Sequence, residues 1–392
     1  MMIDKMRLLS VHNRYLIRGG EDEVREAEER LLREKGHQIE TYEEDNERVA
    51  ALGRLQVALK TVWSTEAYEA MRTQLRRQAY DIVHVQNFFP LISPSVYYAA
   101  KAEGVPVVQT LHNYRLLCHN AYFFRDGRVC EDCLGKFVPF PGVVHACYRE
   151  NRAGSAVVAA MLTVHRAMRT WSNMVDVYIA LTEFARQKFI EGGLPAEKIM
   201  IKPNFVYPDL GQGEGRGGYA IFVGRLSPEK GIDTLLTTWK TLGSKVPLKI
   251  VGDGPLSPQV AEAAERLPGI EWLGRRPLKE VYELIGEAAF LVFPSEWYET
   301  FGRVAIEAFA KGTPVIAANI GAIAELIDNG RTGILYCPGQ PEDLRAKVEW
   351  ALTHPSELAQ MRKEARAEFE AKYTVEQNYQ ILMSVYERAM SH

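Results

Sequence analysis

The sequence predicts an α/β protein built from two doubly wound domains in tandem. Short apolar runs of strand length alternate with helical segments along most of its 392 residues, a pattern typical of this class. A stretch rich in proline and glycine, residues 203–218, divides these runs into two sets and is typical of a linker. The length is enough for two domains with substantial cores and exceeds one ordinary domain.

The predicted strands are short and apolar, as expected for parallel sheets that are covered on both faces. In the first set they are Met6–His12, Gln38–Glu43, Asp81–Val85, Val105–Leu111, Val177–Leu181 and Ile199–Lys202. In the second set they are Tyr219–Val223, Leu248–Val251, Ile270–Leu273, Phe290–Pro294, Val315–Ala318 and Gly333–Tyr336. Since strand ends of such domains face a shared crevice, we expect a ligand between the two domains.

The end of the chain is predicted to be helical, with segments at Glu342–Leu352, Ser356–Ala371 and Val375–Met390. We therefore expect a first domain over residues 1–205, a second domain over residues 206–374 and a terminal helix over residues 375–392. Residues 113–150 are expected to form an insertion between two strands of the first domain.

Composition and charge exclude several classes of protein. The chain has 47 basic and 50 acidic residues, a net charge of −3, and so lacks the electrostatic footprint of a nucleic-acid binder. No apolar run approaches the roughly eighteen residues of a membrane span, and the N-terminus has no signal-peptide layout. Five cysteines, an odd number, favour reduced thiols. We expect a cytoplasmic protein and leave open a peripheral contact with the inner face of a membrane.

The stretch Ser295–Ala310, SEWYETFGRVAIEAFA, is the most informative part of the sequence. A short apolar run precedes it, and the turn at Phe301-Gly302 opens a helix whose N-terminus is an anion site. Glu299 and Glu307 flank this anion site. Glutamates are common in first helical turns, but carboxylates beside an anion site suit hydroxyl-rich groups, so we expect a sugar and a ribose there.

The second domain opens with IFVGRLSPEKGID. Gly224 permits a tight turn after the strand, and Arg225 and Lys230 flank that turn. Arginine offers a planar fork for phosphate oxygens and lysine a mobile point charge, so the pair is suited to a diphosphate. The alternative is a surface ion pair with Glu229 or Asp233. No two aspartates are spaced as Asp-x-Asp, which favours fixed cations over a catalytic metal.

The chain resembles the retaining glycosyltransferases of family four (glycosyl transferases group 1) through GRLSPEKG and ETFGRVAIEAFAKGTPVIA. The resemblance extends over essentially the whole chain. It implies the GT-B fold: two Rossmann-like domains, an inter-domain cleft and a terminal helix that packs back on the first domain. It also implies a metal-independent hexosyltransferase that uses a nucleotide-diphosphate sugar, with UDP expected. The acceptor would be a saccharide or a lipid-linked molecule, in polysaccharide or glycolipid assembly, and no cofactor is required.

The same resemblance implies roles for individual residues. Arg225 and Lys230 would contact the diphosphate, Glu299 the transferring sugar and Glu307 the ribose. The remaining donor-binding residues lie in loops after strands, and they are Gly19, Gly20, Gly224, Gly252, Arg275, Thr300, Phe301 and Gly302. For Gly252 a simple tight turn is an equal alternative.

His112 follows a first-domain strand in VVQTLHNYRLLC, and the resemblance places such a histidine near the donor sugar. With His112, the catalytic candidates are Arg225, Lys230 and Glu299. Retention is expected through a front-face route in which the leaving phosphate takes the acceptor proton. Tyr114 and Arg115 are candidates on the acceptor side. The alternatives are a structural histidine and, for the loop with Gly19 and Gly20, an ordinary turn between strand and helix.

Four cysteines lie in the insertion as C-x11-C-x2-C-x13-C, and they are Cys118, Cys130, Cys133 and Cys147. A structural zinc would staple a segment that has little periodic core of its own. His119 or His145 is a substitute for one thiolate. Unligated or disulfide-paired cysteines are the alternative, and Cys337 is expected to be an ordinary buried thiol.

The segment Arg149–Trp171 carries Arg152, Arg166 and Arg169 beside an apolar stretch. It is suited to bordering the acceptor or to touching anionic lipid headgroups, whereas an amphipathic helix packed on the first domain is the plainer expectation. Two other functions remain as alternatives for the chain. A catalytically silent partner subunit would lack one of the four donor residues, all of which are present, and a nucleotide-sugar epimerase of the same fold would lack the set.

Overall fold

The computed structural model describes residues 5–16 and 19–391. By its internal contacts the chain forms two compact units. The first contains the chain up to Phe123, the stretch Cys130–Pro203 and the residues from Asn378 onward, and the second contains Phe124–Val129 and Asn204–Gln377. The division at residues 203 and 204 lies next to the expected boundary. A short hairpin of the insertion, residues 124–129, groups with the second unit.

Each strand that was predicted from the sequence is present, and two very short strands form the hairpin in the insertion. The strands are β1 (Arg7–Arg14), β2 (Gln38–Asp45), β3 (Ile82–Asn87), β4 (Val107–Thr110), β5 (Phe124–Arg125), β6 (Arg128–Val129), β7 (Val177–Ala180), β8 (Ile199–Ile201), β9 (Ala220–Val223), β10 (Leu248–Val251), β11 (Ile270–Gly274), β12 (Phe290–Phe293), β13 (Val315–Ala318) and β14 (Gly333–Tyr336).

The helices mostly connect consecutive strands. They are α1 (Gly20–Glu34), α2 (Arg48–Ala51), α3 (Arg54–Val62), α4 (Thr65–Arg77), α5 (Ser95–Ala102), α6 (Pro141–Val144), α7 (Arg152–Ala167), α8 (Thr170–Asn173), α9 (Glu183–Glu191), α10 (Ile232–Leu242), α11 (Ser257–Arg266), α12 (Leu278–Glu287), α13 (Arg303–Ala310), α14 (Gly321–Leu326), α15 (Pro341–Thr353), α16 (Pro355–Lys372) and α17 (Val375–Met390). Short 3-10 helices lie at Ala196–Lys198, Pro228–Lys230 and Gly243–Lys245.

Each unit contains one six-stranded parallel sheet. The strand order is β2-β1-β3-β4-β7-β8 in the first unit and β11-β10-β9-β12-β13-β14 in the second. In both sheets the order reverses once, between β1 and β3 and between β9 and β12. These parallel sheets with their connecting helices confirm the predicted doubly wound fold class. In such folds, ligands bind beyond the strand ends at the reversal of strand order.

Burial explains why the strands form where they do. Strand β3 is buried along its whole length, as are β4, β7, β12 and β13, which is expected for strands covered by helices on both faces. In the second unit α10 packs its buried Trp239 beneath the sheet, where the indole N–H donates to the Val246 carbonyl at 3.0 Å.

Helix α17 packs within the first unit from Asn378 onward. Its buried side chains include Leu382, Val385 and Tyr386, and the Tyr386 hydroxyl lies 2.8 Å from Nδ1 of His84 on β3. The terminal helix thereby closes the first unit. Across residues 5–16 and 19–391, helices with the length and apolar character of a membrane span are absent.

Candidate functional site

The loops after β9 and β12 meet at the reversal of strand order in the second sheet. A Cβ atom on Gly231 would lie 1.9 Å from the Pro294 carbonyl oxygen, and the φ of Gly231 is 69°, so only glycine fits there. Close by, the Glu296 amide donates to the Glu229 carbonyl at 2.9 Å. These contacts hold the loop with Lys230 against the loop with Glu299.

Lys230 and Glu299 form an ion pair across these two loops. Lys230 Nζ lies 2.5 Å from Glu299 Oε1, and the ammonium is 5.2 Å from the centre of the Trp297 ring. The same carboxylate oxygen accepts hydrogen bonds from Ser295 Oγ and Trp297 Nε1, each at 2.9 Å. The Glu299 residue is only 8% exposed, so its carboxylate is held in one place by several donors.

Arg225 lies at the same end of the sheet and is exposed. Across the described ranges, its guanidinium makes no hydrogen bond or ion pair with another side chain. The two expected surface partners are otherwise engaged: Glu229 accepts from Ser227 at 2.6 Å and Asp233 from Gln259 at 2.6 Å. The surface ion pair considered for Arg225 is therefore not formed, and its charge faces solvent.

Gly302 precedes helix α13 with a φ of 110°. A Cβ atom there would lie 2.1 Å from Cδ1 of Ile323, so glycine is required both by the backbone and by packing. Beside it, Phe301 is buried and packs edge-on against Tyr373, and Thr300 is half-buried. The buried Phe301 side chain therefore fixes the turn to the protein interior. Only the backbone of Phe301 is available to contact a ligand.

Glu307 lies inside α13 and is 6% exposed. Its Oε1 accepts from Arg303 Nε at 2.9 Å and lies 3.4 Å from the Tyr282 hydroxyl. The Glu299 and Glu307 carboxylates thus have different partners. Arg303 and Tyr282 orient the Glu307 carboxylate. Lys230, Ser295 and Trp297 orient the Glu299 carboxylate.

The loops after β10 and β11 complete this edge of the second sheet. Gly252 has a φ of 140°, and a Cβ atom on it would lie 1.8 Å from the Gly224 carbonyl oxygen. Its amide donates to the Gly274 carbonyl at 2.9 Å. Arg275 follows directly and is exposed. The glycine at residue 252 is thus explained by close packing of the strand ends, while Arg275 reaches outward from the same edge.

His112 of the first unit is linked to a buried ion pair. Its Nε2 lies 2.7 Å from Gln86 Oε1, and Gln86 Nε2 donates to Glu28 Oε1 at 3.1 Å. The second oxygen of Glu28 is 2.8 Å from Lys202 Nζ, with side chains only 4% and 2% exposed. Also in contact with Glu28 is His84, whose Nδ1 lies 3.4 Å from Oε1.

These contacts fix the protonation of His112. Burial alone would raise the pKa of Glu28, but the charge of Lys202 and its hydrogen bond to the carboxylate lower it to about 2. Glu28 is therefore an ionised acceptor, so the Gln86 amide must donate to it and present its oxygen to His112. Burial also lowers the pKa of His112 to about 3. His112 is thus neutral, with its proton on Nε2 and none on Nδ1.

The glycine loop of the first unit contains a second polar cluster. The Gly19 amide donates to Asp22 Oδ2 at 3.0 Å, and Asp22 Oδ1 is 2.8 Å from Nε2 of the fully buried His12. A Cβ atom on Gly19 or Gly20 would meet nothing within 4 Å, so internal packing does not require these glycines. Ile17 and Arg18 of this predicted loop lie outside the described residues.

Glu21 is the neighbouring carboxyl group. Its Oε2 lies 3.3 Å from the Tyr15 hydroxyl and 3.4 Å from Asn113 Nδ2. Burial, with the nearby charge of Asp22, raises the pKa of Glu21 to about 8. At neutral pH this carboxyl is therefore protonated, which distinguishes it from Glu28 on the same helix.

The two residues predicted on the acceptor side have different environments. Tyr114 is fully buried and stacks on Phe189 at 5.5 Å between ring centres, so its side chain belongs to the core and is removed from the candidates. Arg115 lies over the Phe89 ring at 4.5 Å and the Tyr148 ring at 5.3 Å. Its Nη1 is buried without a hydrogen-bond partner among the described residues.

The cysteines of the insertion lie near one another. Burial raises the pKa of the Cys133 thiol to about 12, and the other three cysteines of the insertion act in the same direction. Cys133 Sγ is 3.9 Å from Nδ1 of the buried His119. As placed, the described residues offer no group of three or more His, Cys, Asp or Glu side chains suited to a metal ion, so zinc stays a prediction. Cys337 is exposed, and its expected burial is wrong.

The sequence interpretation missed several residues that orient the predicted ones. Ser295, Trp297 and Arg303 lie within the stretch that contains Glu299 and Glu307, and their proximity in sequence is a usable signal. His84 and Gln86 alternate with apolar residues along the buried strand β3, and buried polar residues at such positions are a second signal. Lys202 gives no local signal, since its partner Glu28 lies far away in sequence.

Two family models match the chain. Residues 25–204 match the glycosyl transferase 4-like domain, and residues 213–368 match the glycosyl transferases group 1. The first match contains the strands of the first sheet after β1, and the second contains Arg225, Lys230, Glu299 and Glu307.

Characterised and uncharacterised relatives align over parts of the chain. An uncharacterised glycosyltransferase of Methanocaldococcus jannaschii is 33% identical over 214 residues, which cover 54% of this chain and 59% of the relative. The sulfoquinovosyl transferase of Arabidopsis thaliana is 29% identical over 226 residues, which cover 56% of this chain and 40% of the relative. The chain thus spans about half the length of the relatives it matches.

Solved structures share the whole architecture. HepE of Anabaena, in complex with UDP, has a TM-score of 0.69 at 18% identity and covers 97% of this chain and 100% of its own. Sucrose-phosphate synthase of Thermosynechococcus elongatus has a TM-score of 0.71 at 16% identity and covers 99% and 100%. At this identity the likeness shows the fold. With two family models over most of its length and the GT-B fold, the chain belongs to the glycosyl transferases of group 1, the family-four type.

Proposed function

We propose that the chain transfers a hexose from a nucleotide-diphosphate sugar to a saccharide or lipid-linked acceptor, with retention of configuration and without a catalytic metal. The observation that carries the proposal is the group of charges at the strand reversal of the second sheet. Arg225 faces solvent there, next to the paired Lys230 and Glu299. This arrangement offers cations for a diphosphate and carboxylates for hydroxyl groups.

The proposed chemistry follows from these groups. The bond between the anomeric carbon and the β-phosphate oxygen breaks, and a bond to the acceptor oxygen forms on the same face. The acceptor proton moves to the departing phosphate. Arg225 and Lys230 stabilise the charge that develops on this phosphate, a contribution that charge-assisted hydrogen bonds make at about 1.5–3 kcal/mol each. Glu299 holds the sugar by its hydroxyls, and Glu307 the ribose.

UDP is the proposed nucleotide because HepE of Anabaena was crystallised with UDP and with UDP-glucose. The mycobacterial glycogen synthase and the plant sulfoquinovosyl transferase act by name on hexose-type groups, which supports a hexose. For His112, the proposed role is a hydrogen bond with a hydroxyl of the donor sugar, as the family resemblance implies.

The experiment is a comparison of UDP-glucose hydrolysis and binding by the wild type, Arg225→Ala and Arg266→Ala. Arg225→Ala should lower turnover by roughly 10²–10³-fold if the guanidinium stabilises the departing diphosphate. Arg266 pairs with Glu262 on the surface and serves as the matched control. A near-normal rate for Arg225→Ala contradicts the proposal.

Product analysis separates the alternative functions. A silent subunit binds UDP-glucose without releasing UDP, and an epimerase changes the sugar while it stays attached to the nucleotide. Free UDP with an α-configured product supports retaining transfer. Addition of chelator is expected to leave the rate of donor cleavage unchanged, and a rate restored only by Mg²⁺ or Mn²⁺ contradicts the metal-independent route.

A further inference from the structure

Residues 133–175 differ in charge from the rest of the chain. They contain five lysine or arginine residues and one acidic residue, Glu150, which leaves a net charge of +4. The whole chain has a net charge of −3. Glu131, Asp132 and Asp176 lie directly outside these bounds, so the positive charge is confined to the segment itself, where it attracts anions.

The same segment exposes large apolar side chains. Within the eight residues Phe137–Val144, here named the apolar loop, Phe137 is 58% exposed, Val138 48%, Phe140 62% and Val144 46%. Single exposed apolar residues are normal on protein surfaces. Four in so short a stretch, including two phenylalanines, indicate a surface that contacts something apolar.

The apolar loop is fixed to the rest of the first unit. Arg166 near the end of α7 donates to the carbonyls of Lys136 and Phe137, the latter at 3.1 Å, and its other terminal nitrogen donates to the Leu116 carbonyl at 3.1 Å. Helix α7 itself buries Met161 and Leu162, as expected for an amphipathic helix packed on this unit. The backbone is thus held in place while the apolar side chains face outward.

Basic groups lie directly beside the apolar loop. Lys136, Arg166 and Arg169 line, together with Phe137, a cavity of about 250 Å³. Lys136 and Arg169 are exposed, and Met168, between two of the arginines, is 44% exposed. Cationic side chains therefore lie beside the exposed Phe137 and Met168 on this part of the surface.

We propose that the apolar loop and the basic residues around it form a docking surface for an anionic lipid bilayer. Phenylalanine and valine side chains at a surface turn suit the boundary between headgroups and acyl chains, and the surrounding cations suit lipid phosphates. A second copy of the chain fits less well, because two surfaces of equal positive charge repel each other. The surface provides peripheral docking, and it is independent of the proposed donor chemistry.

The test measures sedimentation of the full chain with vesicles of phosphatidylcholine and phosphatidylglycerol in equal parts, against vesicles of phosphatidylcholine alone. The wild type should bind the anionic vesicles, and added salt should weaken binding. The double variant Phe137→Ser/Phe140→Ser should lose about tenfold or more in affinity. Lys136→Gln/Arg169→Gln should lose about fivefold for each charge removed.

The matched control is Leu210→Ser/Leu352→Ser, which removes two leucines that are 46% and 39% exposed in the second unit. This control should bind vesicles like the wild type, and thermal unfolding of all variants should coincide. Failure of the wild type to bind anionic vesicles overturns the proposal. So does equal binding by the phenylalanine variant, or light scattering that shows self-association through Phe137 and Phe140 in place of lipid binding.

Discussion

Lys230 and Glu299 neutralise each other at 2.5 Å across two loops of the second unit. One of these residues is assigned to the diphosphate and the other to the sugar, so a bound donor would have to satisfy both partners of an existing ion pair. The pair keeps the partly buried carboxylate compensated while no ligand is present, which an unpaired buried charge would not be. A substitution of either residue therefore also removes the ion-pair partner of the other.

The proposed contact between Glu299 and the donor sugar predicts that a substitution of Glu299 weakens the binding of two ligands unequally. Glu299→Gln should weaken binding of UDP-glucose more than binding of UDP, because UDP lacks the transferable hexose that this side chain is proposed to contact. Arg225→Ala should weaken both ligands alike. Titration calorimetry measures the six dissociation constants of the wild type and the two variants, and equal weakening of UDP and UDP-glucose by Glu299→Gln would contradict the sugar assignment.

A double-mutant cycle tests the coupling itself. Lys230→Ala and Glu299→Gln should be non-additive in the free energy of unfolding, with an interaction energy of about 0.5–3 kcal/mol for residues in contact. The pair Lys245–Glu349, more exposed at 2.8 Å, is the matched control and should couple by less than about 1 kcal/mol. Additive behaviour at residues 230 and 299 would show that the ion pair is not maintained in solution.

Gln86 is predicted to position His112. At neutral pH the ¹⁵N shifts of the His112 ring should report a neutral imidazole with the proton on Nε2. Gln86→Leu removes the acceptor, so the proton should distribute over both nitrogens and donor hydrolysis should fall by about tenfold or more through misplacement of the ring. Gln187→Leu on the exposed face of α9 should change neither. An unaltered ring spectrum in Gln86→Leu would remove the positioning role even if activity fell.

The raised pKa of Glu21 predicts a pH dependence of stability. Between about 4.5 and about 8 the carboxyl is ionised in the unfolded chain and protonated in the folded one, so the wild type loses stability as the pH rises through this window. Glu21→Gln does not titrate and should therefore gain stability relative to the wild type, by at most about 1.4 kcal/mol per pH unit.

Urea unfolding at several pH values measures this difference. Glu34→Gln, an exposed glutamate of the same helix, is the control and should follow the wild type. A constant difference between Glu21→Gln and the wild type across the window would show that Glu21 is ionised in the folded state.

The cysteines of the insertion give a prediction about metal content. Purified protein should contain one zinc per chain, and Cys133→Ser should lose it together with several degrees of thermal stability. Cys337→Ser is the control, because Cys337 is exposed and far away in sequence. Sub-stoichiometric zinc in protein prepared without chelator would establish unligated thiols in this segment.

Local sequence patterns were sufficient for the fold and for the residues at strand ends. The alternation of apolar runs and helices predicted the positions of the strands in both sheets, since parallel strands that are buried on both faces leave an unbroken apolar signal. Gly302 and the helix after it were equally visible, because a left-handed residue at a helix start has few alternatives to glycine.

Pairings between distant residues could not be predicted in the same way. Lys230 and Glu299 are 69 residues apart, and the Glu28–Lys202 pair joins the first helix to the residue that follows the last strand of the first sheet. Such contacts depend on strand order, which apolar periodicity leaves open. The burial of Tyr114 was missed for a related reason, since its neighbour Phe189 comes from a helix much later in the chain.

The contact between Gly231 and Pro294 fixes the spacing of two loops independently of the side chains that these loops carry. Because backbone atoms set the spacing of the two loops, the distance between the backbone segments that contain Lys230 and Glu299 does not depend on which side chains surround the glutamate. Trp297 faces both the Lys230 ammonium and the Glu299 carboxylate, whereas, among the described residues, Ser295 donates to the carboxylate alone. Under the proposed function, Ser295 is therefore the first position to vary in a search for new donor sugars, because its substitution leaves the lysine in place.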